Sequence, residues 1–397
     1  MYLAIVSPYP PLITGIGQYG YHVSRLLARS NAFSRIVVLT GKSNGEAPVA
    51  PHIQVEQLWQ PGSWNVGAVI PARIKSIRPD LVWFNLGASI FGRSPLANLS
   101  GFLSVIRTQQ LGFPTVVTLH ELPELSDLHS LQAPGGFFAK YGAHLLTEIA
   151  TQSDVVCLTI QRYVDWLNSH HANSSGKQIH IPMGAYNPPE MLPESGAAEL
   201  LFFTTLAPFK GLEVLLEAFK VLKETYPDLQ LTIAGAEHIR FPGYANKLKN
   251  IYAGLNGVHW LGQVAEEDVR ALFLRAQIVI LPYIASTGAS SVLVQSATWG
   301  RPVVASNLPE VQSLVRENNF DITLFQNGNA SSLVGAIKAQ LESPEQRRLQ
   351  VQHNFNAIQR LRPEDTCHTY LRAFNLALEM RNSSKRIVLP AIPVEPA

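Results

Sequence analysis

The sequence predicts an α/β chain of two βα domains, each built on a parallel sheet. Three observations predict it. The chain has 397 residues, and domains usually take about 100–200 each. Its strand-like runs are continuously apolar rather than alternating, the pattern of strands covered on both faces. The strand–helix alternation also stops at a Pro-, Gly- and Ala-rich stretch, 184–198 (GAYNPPEMLPESGAA), and then restarts.

Each element follows from its own residues. Residues 2–7 form a short apolar run closed by Pro8, Pro10 and Pro11. Residues 18–29 place Val23, Leu26 and Leu27 at helical spacing, with Arg25 and Arg29 on another face. RIVVLT at 35–40 is a β-branched strand ended by Gly41. DLVWFN (80–85), PTVVTLH (114–120) and DVVCLT (154–159) are three more strands. After the linker, ELLFFTT (199–205) restarts the pattern, and helix 212–224 aligns Leu215, Phe219 and Leu222. LQLTIA (229–234) ends at Gly235, and strand 258–261 precedes a helix over 266–275. AQIVILP (276–282), a helix over 290–298 and PVVAS (302–306) follow. Helix 364–380 carries Tyr370, Phe374, Leu376 and Leu378, and the residues from 381 onward read as a mobile tail. The expected organisation is a first domain over 1–183, a linker over 184–198 and a second domain over 199–362. A C-terminal helix (363–382) then crosses back to the first domain, followed by the tail (383–397).

Composition excludes several classes. Lys and Arg number 31 against 29 Asp and Glu, a net charge of +2, with 15% charged residues. This gives no global field for a nucleic-acid partner. An apolar content of 46% excludes disorder for most of the chain. Two distant cysteines, Cys157 and Cys367, exclude a disulfide scaffold and a cysteine-built zinc site, and both read as buried apolar residues. No apolar run approaches the ~18 residues of a membrane span. The start of the chain shows neither a basic segment nor a small-residue cleavage site, so the expected compartment is the cytoplasm.

Three glycine- or lysine-bearing turns carry the chemistry. Gly15-Ile16-Gly17-Gln18-Tyr19-Gly20 fits G-x-G-x-x-G by letter. The dinucleotide fingerprint is rejected, because seven residues separate the strand from Gly15 and the second strand ends Leu39-Thr40-Gly41 with no acidic residue. What survives is backbone that a ligand can approach, ahead of a helix whose amides and dipole favour an anion. In the second half, TTLAPFKG (204–211) follows a strand and places Lys210 before a helix, where a cation is unfavourable unless an anion pairs with it. PYIASTGASS (282–291) crowds Gly, Ser and Thr between a buried strand and a helix, offering amides and hydroxyls to phosphate or sugar. Ser290 or Ser291 also suits a helix cap. Two anion-facing turns in one domain point to a diphosphate.

Together these segments resemble the retaining GT-B glycosyltransferases of the family 4 type. The resemblance rests on SPYPPLITGIGQYG, VTLHE (117–121) and IPMGAYNPP (181–189) in the first half. In the second it rests on LAPFKGLEVLLEAF, LTIAGA, VHWLGQV, IVILPY and GRPVVASNLPEV (300–311). It implies two Rossmann-like domains facing a cleft. It implies donor phosphates beside Gly15, Ile16 and Gly17, a transferred sugar near His120, and a diphosphate on Lys210. It also implies backbone donors from Gly288, Ala289, Ser290 and Ser291, with Tyr283 beside them. The family's usual arginine falls on Thr205, and its paired glutamates on Thr287 and Gln295, which leaves a more neutral site. Gln295 suits ribose hydroxyls and Thr287 a sugar hydroxyl.

The resemblance implies a UDP- or GDP-sugar as co-substrate, no further cofactor and no metal, since Asp-x-Asp is absent from the chain. His120 and Lys210 are the expected catalytic residues, with Glu121 on the acceptor side. The expected acceptor is a glycan or glycolipid, with peripheral contact at the cytoplasmic membrane face as an option. A non-catalytic nucleotide-sugar-binding subunit is the alternative, favoured by Thr205, Thr287 and Gln295. His22 and the His170–His171 pair show no metal spacing. Trp83, Trp166, Trp260 and Trp299 read as core, and Phe137, Phe138 and Tyr141 as packed under a loop.

Overall fold

A computed structural model describes residues 1–12, 14–48, 50–132, 138–171, 176–286, 288–382 and 385–387. In chain order the elements are β1 (Tyr2–Val6), α1 (Gly15–Arg29), β2 (Arg35–Gly41), β3 (Ile53–Trp59), α2 (Val66–Ile77), β4 (Leu81–Leu86), α3 (Pro95–Gln110), β5 (Thr115–Leu119), α4 (Ala139–Thr151), β6 (Val155–Leu158), α5 (Gln161–His170) and β7 (Gln178–His180). They continue with β8 (Glu199–Phe203), α6 (Leu212–Thr225), β9 (Gln230–Ala234), α7 (Tyr244–Ile251), β10 (Val258–Gly262), α8 (Val269–Arg275), β11 (Ile278–Leu281), α9 (Ser291–Thr298), β12 (Val303–Ser306), α10 (Pro309–Asn318), β13 (Thr323–Phe325), α11 (Ala330–Glu342), α12 (Pro344–Ile358) and α13 (Pro363–Met380). Two compact units result. One comprises Met1–Glu124, Lys140–Pro182 and Pro363–Ala397, the other Leu125–Ala139 and Met183–Arg362.

The first unit holds a parallel sheet in the order β3-β2-β1-β4-β5-β6-β7. The order reverses between β1 and β4, where Ile5 lies opposite Trp83. All four residues of β6 and all five of β5 are buried, which is why these runs carry no polar alternation. Thr14 caps α1 by accepting from the Gly17 amide at 2.9 Å. The helix therefore begins at Gly15, so the glycine-rich segment is its first turn rather than a loop ahead of it. α13 belongs to this unit. Its Tyr370 hydroxyl lies 2.9 Å from both the Tyr19 hydroxyl and Thr118 Oγ1, and Trp83 Nε1 donates to Thr118 at 2.9 Å.

The second unit repeats the plan with the order β10-β9-β8-β11-β12-β13, all parallel, reversing between β8 and β11. Its core joins Leu215, Phe219 and Leu222 of α6 to Leu231 and Ile233 of β9. The helix expected over 266–275 is a 3-10 turn at Glu266–Asp268 followed by α8. Arg301 is buried and its guanidinium donates to the carbonyls of Phe273, Leu192, Gly300, Pro193 and Leu274, tying residues before β8 to the unit. Burial lowers its pKa to about 10.

Cys157 and Cys367 are buried free thiols. Trp83 and Trp299 are core, whereas Trp166 and Trp260 are only half-buried. Phe138 and Tyr141 are exposed at the start of α4, not packed under a loop. Phe137 lies outside the described residues, as does the tail beyond Ile387.

Candidate functional site

In the second unit the candidate residues gather at the carboxyl ends of β8 and β11, the two strands at which the order reverses. Ligands of open α/β sheets bind at such reversals. The segment after β8 makes a 3-10 turn, Pro208–Lys210, closed by Gly211 in the left-handed region (φ 71°). A Cβ on Gly211 would stand 1.8 Å from the Pro282 carbonyl oxygen, so only glycine lets this turn lie on the end of β11. The amides of Ile284 and Ala285 both donate to the Phe209 carbonyl, at 2.9 and 3.2 Å. This clamp puts the Lys210 ammonium 4.1 Å from the centre of the Tyr283 ring.

The turn after β11 leads into α9. Ser290 caps that helix, accepting from the Leu293 amide at 3.4 Å, and lies 3.5 Å from the Tyr283 hydroxyl. Ser291 donates to the hydroxyl of half-buried Tyr186. Gly288 adopts φ 110° and its carbonyl accepts from Ser286 Oγ. Gln295 lies half-buried on α9 and Thr205 half-buried beyond β8. Thr287 lies outside the described residues. The local field is positive. Burial, then Arg240, then Lys210 push the His238 imidazole down to about 4, so it stays neutral between two cations.

In the first unit the candidates follow the strands at the other reversal. Asn85, on β4, links them. Its Nδ2 donates to the Ile16 carbonyl at 3.0 Å and to Ser7 Oγ at 2.9 Å. A carbonyl only accepts, so the amide orientation is fixed and Oδ1 faces His120 Nε2 at 2.6 Å. His120 must therefore carry its proton on Nε2. Burial lowers its pKa to about 3, so the ring is neutral and Nδ1 is an acceptor. Tyr19 packs edge-on against it, with ring centres 4.6 Å apart. Glu121 Oε1 accepts from the Ala88 amide at 2.6 Å, which gives this side chain a positioning role on the segment after β4. A Cβ on Gly15 would meet nothing within 4 Å, whereas one on Gly17 would stand 2.9 Å from Thr14 Oγ1.

The comparisons with known proteins agree on the fold. Anabaena Alr3699/HepE, solved in complex with UDP and glucose, superposes with a TM-score of 0.71 at 17% identity, covering 94% of this chain and 98% of that one. The sucrose-phosphate synthase of Thermosynechococcus elongatus gives 0.68 at 17%, over 96% and 98%. This is the GT-B fold.

Residues 197–343 match the Glycosyl transferases group 1 family, so the part of the GT-B chain that bears Lys210 and Gln295 is the part matched. The chain is similar to the phosphatidyl-myo-inositol mannosyltransferases of Propionibacterium freudenreichii (29% identical over 144 residues, 36% of this chain and 34% of that protein) and Mycobacterium leprae (30% over 154 residues, 38% and 39%). It spans only about a third of the length of these curated relatives. Within the GT-B scaffold, Asn85 is the residue that sequence reasoning missed, and Tyr370, read there only as part of a helix face, also joins Tyr19 to Thr118. A single amide inside the wholly buried run LVWFNL was the available signal for Asn85, since a buried polar side chain in such a strand must find partners.

Proposed function

We propose that the protein is a glycosyltransferase that moves a sugar from a nucleotide diphosphate sugar, UDP- or GDP-linked, to a glycan or glycolipid. The observation that carries this reading is the Lys210 ammonium held over Tyr283 at the strand reversal, beside a His238 kept neutral by burial first and by Arg240 and Lys210 after it. Fixed cations and amide dipoles there accelerate departure of a diphosphate without reorganising. The UDP-glucose complex of HepE supports the donor class, and the mannosyltransferase similarity supports a glycolipid-type acceptor.

In the proposed step the bond between the anomeric carbon and the leaving phosphate oxygen breaks. The acceptor oxygen bonds to the same carbon from the same face, with retention, and its proton passes to the departing phosphate. Lys210, the first turn of α1, where Gly15 and Ile16 offer amides and Gly17, its own amide held by Thr14, lets backbone come close, and the turn at Gly288, Ala289, Ser290 and Ser291 hold the charge, so no metal is needed. Gly15 supports this reading. Among the described residues nothing lies within 4 Å of where its Cβ would stand, so the backbone of this first turn is open to a ligand. His120 accepts a sugar hydroxyl hydrogen at Nδ1. Gln295, Tyr283, Thr205 and Thr287 line the donor, and Glu121 positions the acceptor side. No helix among the described residues is long and apolar enough to cross a membrane. A glycolipid acceptor is met at the cytoplasmic membrane face.

Thermal unfolding with UDP-, GDP- and ADP-sugars, with and without EDTA, on wild type and Lys210→Ala tests this. One donor should stabilise the wild type, by about 2.7 kcal/mol at a hundredfold excess over its Kd, insensitively to EDTA, and Lys210→Ala should abolish the shift. No shift with any donor would leave the family match without a nucleotide-sugar site. Neutral Thr205 in place of the expected arginine favours a second reading, a subunit that binds the donor without turning it over. Such a protein would show the shift but no release of free nucleoside diphosphate with any acceptor.

A further inference from the structure

Three side chains of metal-ligating type meet in the first unit, none of them a residue assigned to sugar transfer. Glu124 lies on the 3-10 turn Pro123–Leu125, His144 on α4, and His171 at the carboxyl end of α5. Their donor atoms all lie within 4.8 Å of one another. Glu124 Oε1 is 2.8 Å from His144 Nδ1, and Glu124 Oε2 is 3.2 Å from His171 Nε2. Two further groups fix these orientations. Glu148 Oε1 stands 2.6 Å from His171 Nδ1, and Trp166 Nε1 donates to Glu124 Oε2 at 3.2 Å.

One imidazole between two carboxylates is an ordinary ion pair. The second imidazole turned onto the same Glu124 is not explained by it. The His144 side chain is 60% exposed, and a hydrogen bond made there gains little over water.

We propose that Glu124, His144 and His171 bind a divalent cation of the zinc class. Two imidazoles and one carboxylate form a zinc ligand set, at bond lengths of about 2.0–2.2 Å. The donor atoms are close enough for a cation to replace the two present hydrogen bonds after small side-chain shifts. Glu148 accepts the Nδ1 proton of His171, which leaves the Nε2 lone pair for the metal, the outer carboxylate typical of histidine ligands. Water completes the coordination on the side of exposed His144. The ligands come from three elements far apart in sequence, so the ion cross-links the turn after β5 with α4 and α5. Its role is to brace the unit, and transfer does not pass through it. Imidazole nitrogen also selects against magnesium, which takes oxygen ligands.

Calorimetric titration of EDTA-stripped protein with zinc chloride, and separately with magnesium chloride, tests the site. The expected result is one equivalent of zinc bound and no magnesium. His144→Ala, a change at an exposed position that circular dichroism can certify as folded, should abolish that equivalent. Glu148→Gln should weaken it roughly 10–100-fold, and His259→Ala, on exposed β10, should leave it unchanged. Absence of saturable zinc binding in the wild type, or an undiminished equivalent in folded His144→Ala, would overturn the assignment. Either result leaves the sugar-transfer reading untouched.

Discussion

His120 is a residue whose chemistry is decided by its neighbour's neighbours. Ser7, the Ile16 carbonyl and Asn85 dictate which nitrogen holds the proton, and burial dictates that there is only one. A consequence follows for stability. Unfolded, an imidazole titrates near 6.5. Folded, burial lowers His120 to about 3, and burial with Arg240 and Lys210 lowers His238 to about 4. Between these values the unfolded chain binds protons that the folded chain refuses. Stability is therefore complete above about pH 6.5 and falls as pH drops, by up to ~1.4 kcal/mol per unit for each ring. Urea midpoints measured from pH 7.5 to 4.5 should decline, and His120→Gln should flatten the decline. A midpoint constant over that range would contradict neutral burial of either ring.

At the scale of elements, the turn Pro208–Lys210 is placed by Gly211 rather than by its own side chains. In Gly211→Ala a Cβ would meet the Pro282 carbonyl in a backbone region that alanine rarely adopts. The turn must lift off β11 and carry Lys210 away from Tyr283. We expect nucleotide-sugar binding at least about tenfold weaker, a change of ~1.4 kcal/mol, with helix content retained. Gly254→Ala, whose Cβ meets nothing within 4 Å, is the matched control. Equal affinity in the two variants would show that Lys210 does not need its perch. This pair also shows what a sequence makes legible. The strands DLVWFN and AQIVILP announce themselves because burial on both faces leaves no polar alternation, and the glycines mark where backbone comes close. By contrast β3 is half-exposed at a sheet edge, α2 runs through Pro71, and α12 has no apolar stripe, so none of the three presents a period to read. The amide of Asn85 and the meeting of Glu124 with His144 and His171 depend on which strands and helices become neighbours, which no spacing encodes.

At the scale of the molecule, the first unit is discontinuous, and its last piece is part of its core. α13 buries Cys367, Tyr370, Leu371, Phe374 and Leu378 in that unit. Tyr370 and Phe374 pack on Trp83, with ring centres 4.8 and 6.2 Å away. Beyond the helix, Arg381 pairs with Asp154 at 2.8 Å and Lys385 pairs with Asp80. Burying each large apolar side chain contributes roughly 1.5–3 kcal/mol. The four largest on α13 thus supply about 6–12 kcal/mol, as much as the whole net stability of a typical domain. The second unit is defined by Leu125–Ala139 and Met183–Arg362, so α13 is no part of it. A chain truncated after Arg362 should therefore lose the first unit and keep the second. Calorimetry should show one of two transitions missing, and protease should digest residues before 124 first. Because Lys210, Tyr283 and Gln295 all lie in the unit that survives, the truncated chain should still bind the nucleoside diphosphate while transferring no sugar. If instead both units unfold together, the second depends on the first for its stability, and its match to a self-contained family domain over 197–343 would not reflect independent folding.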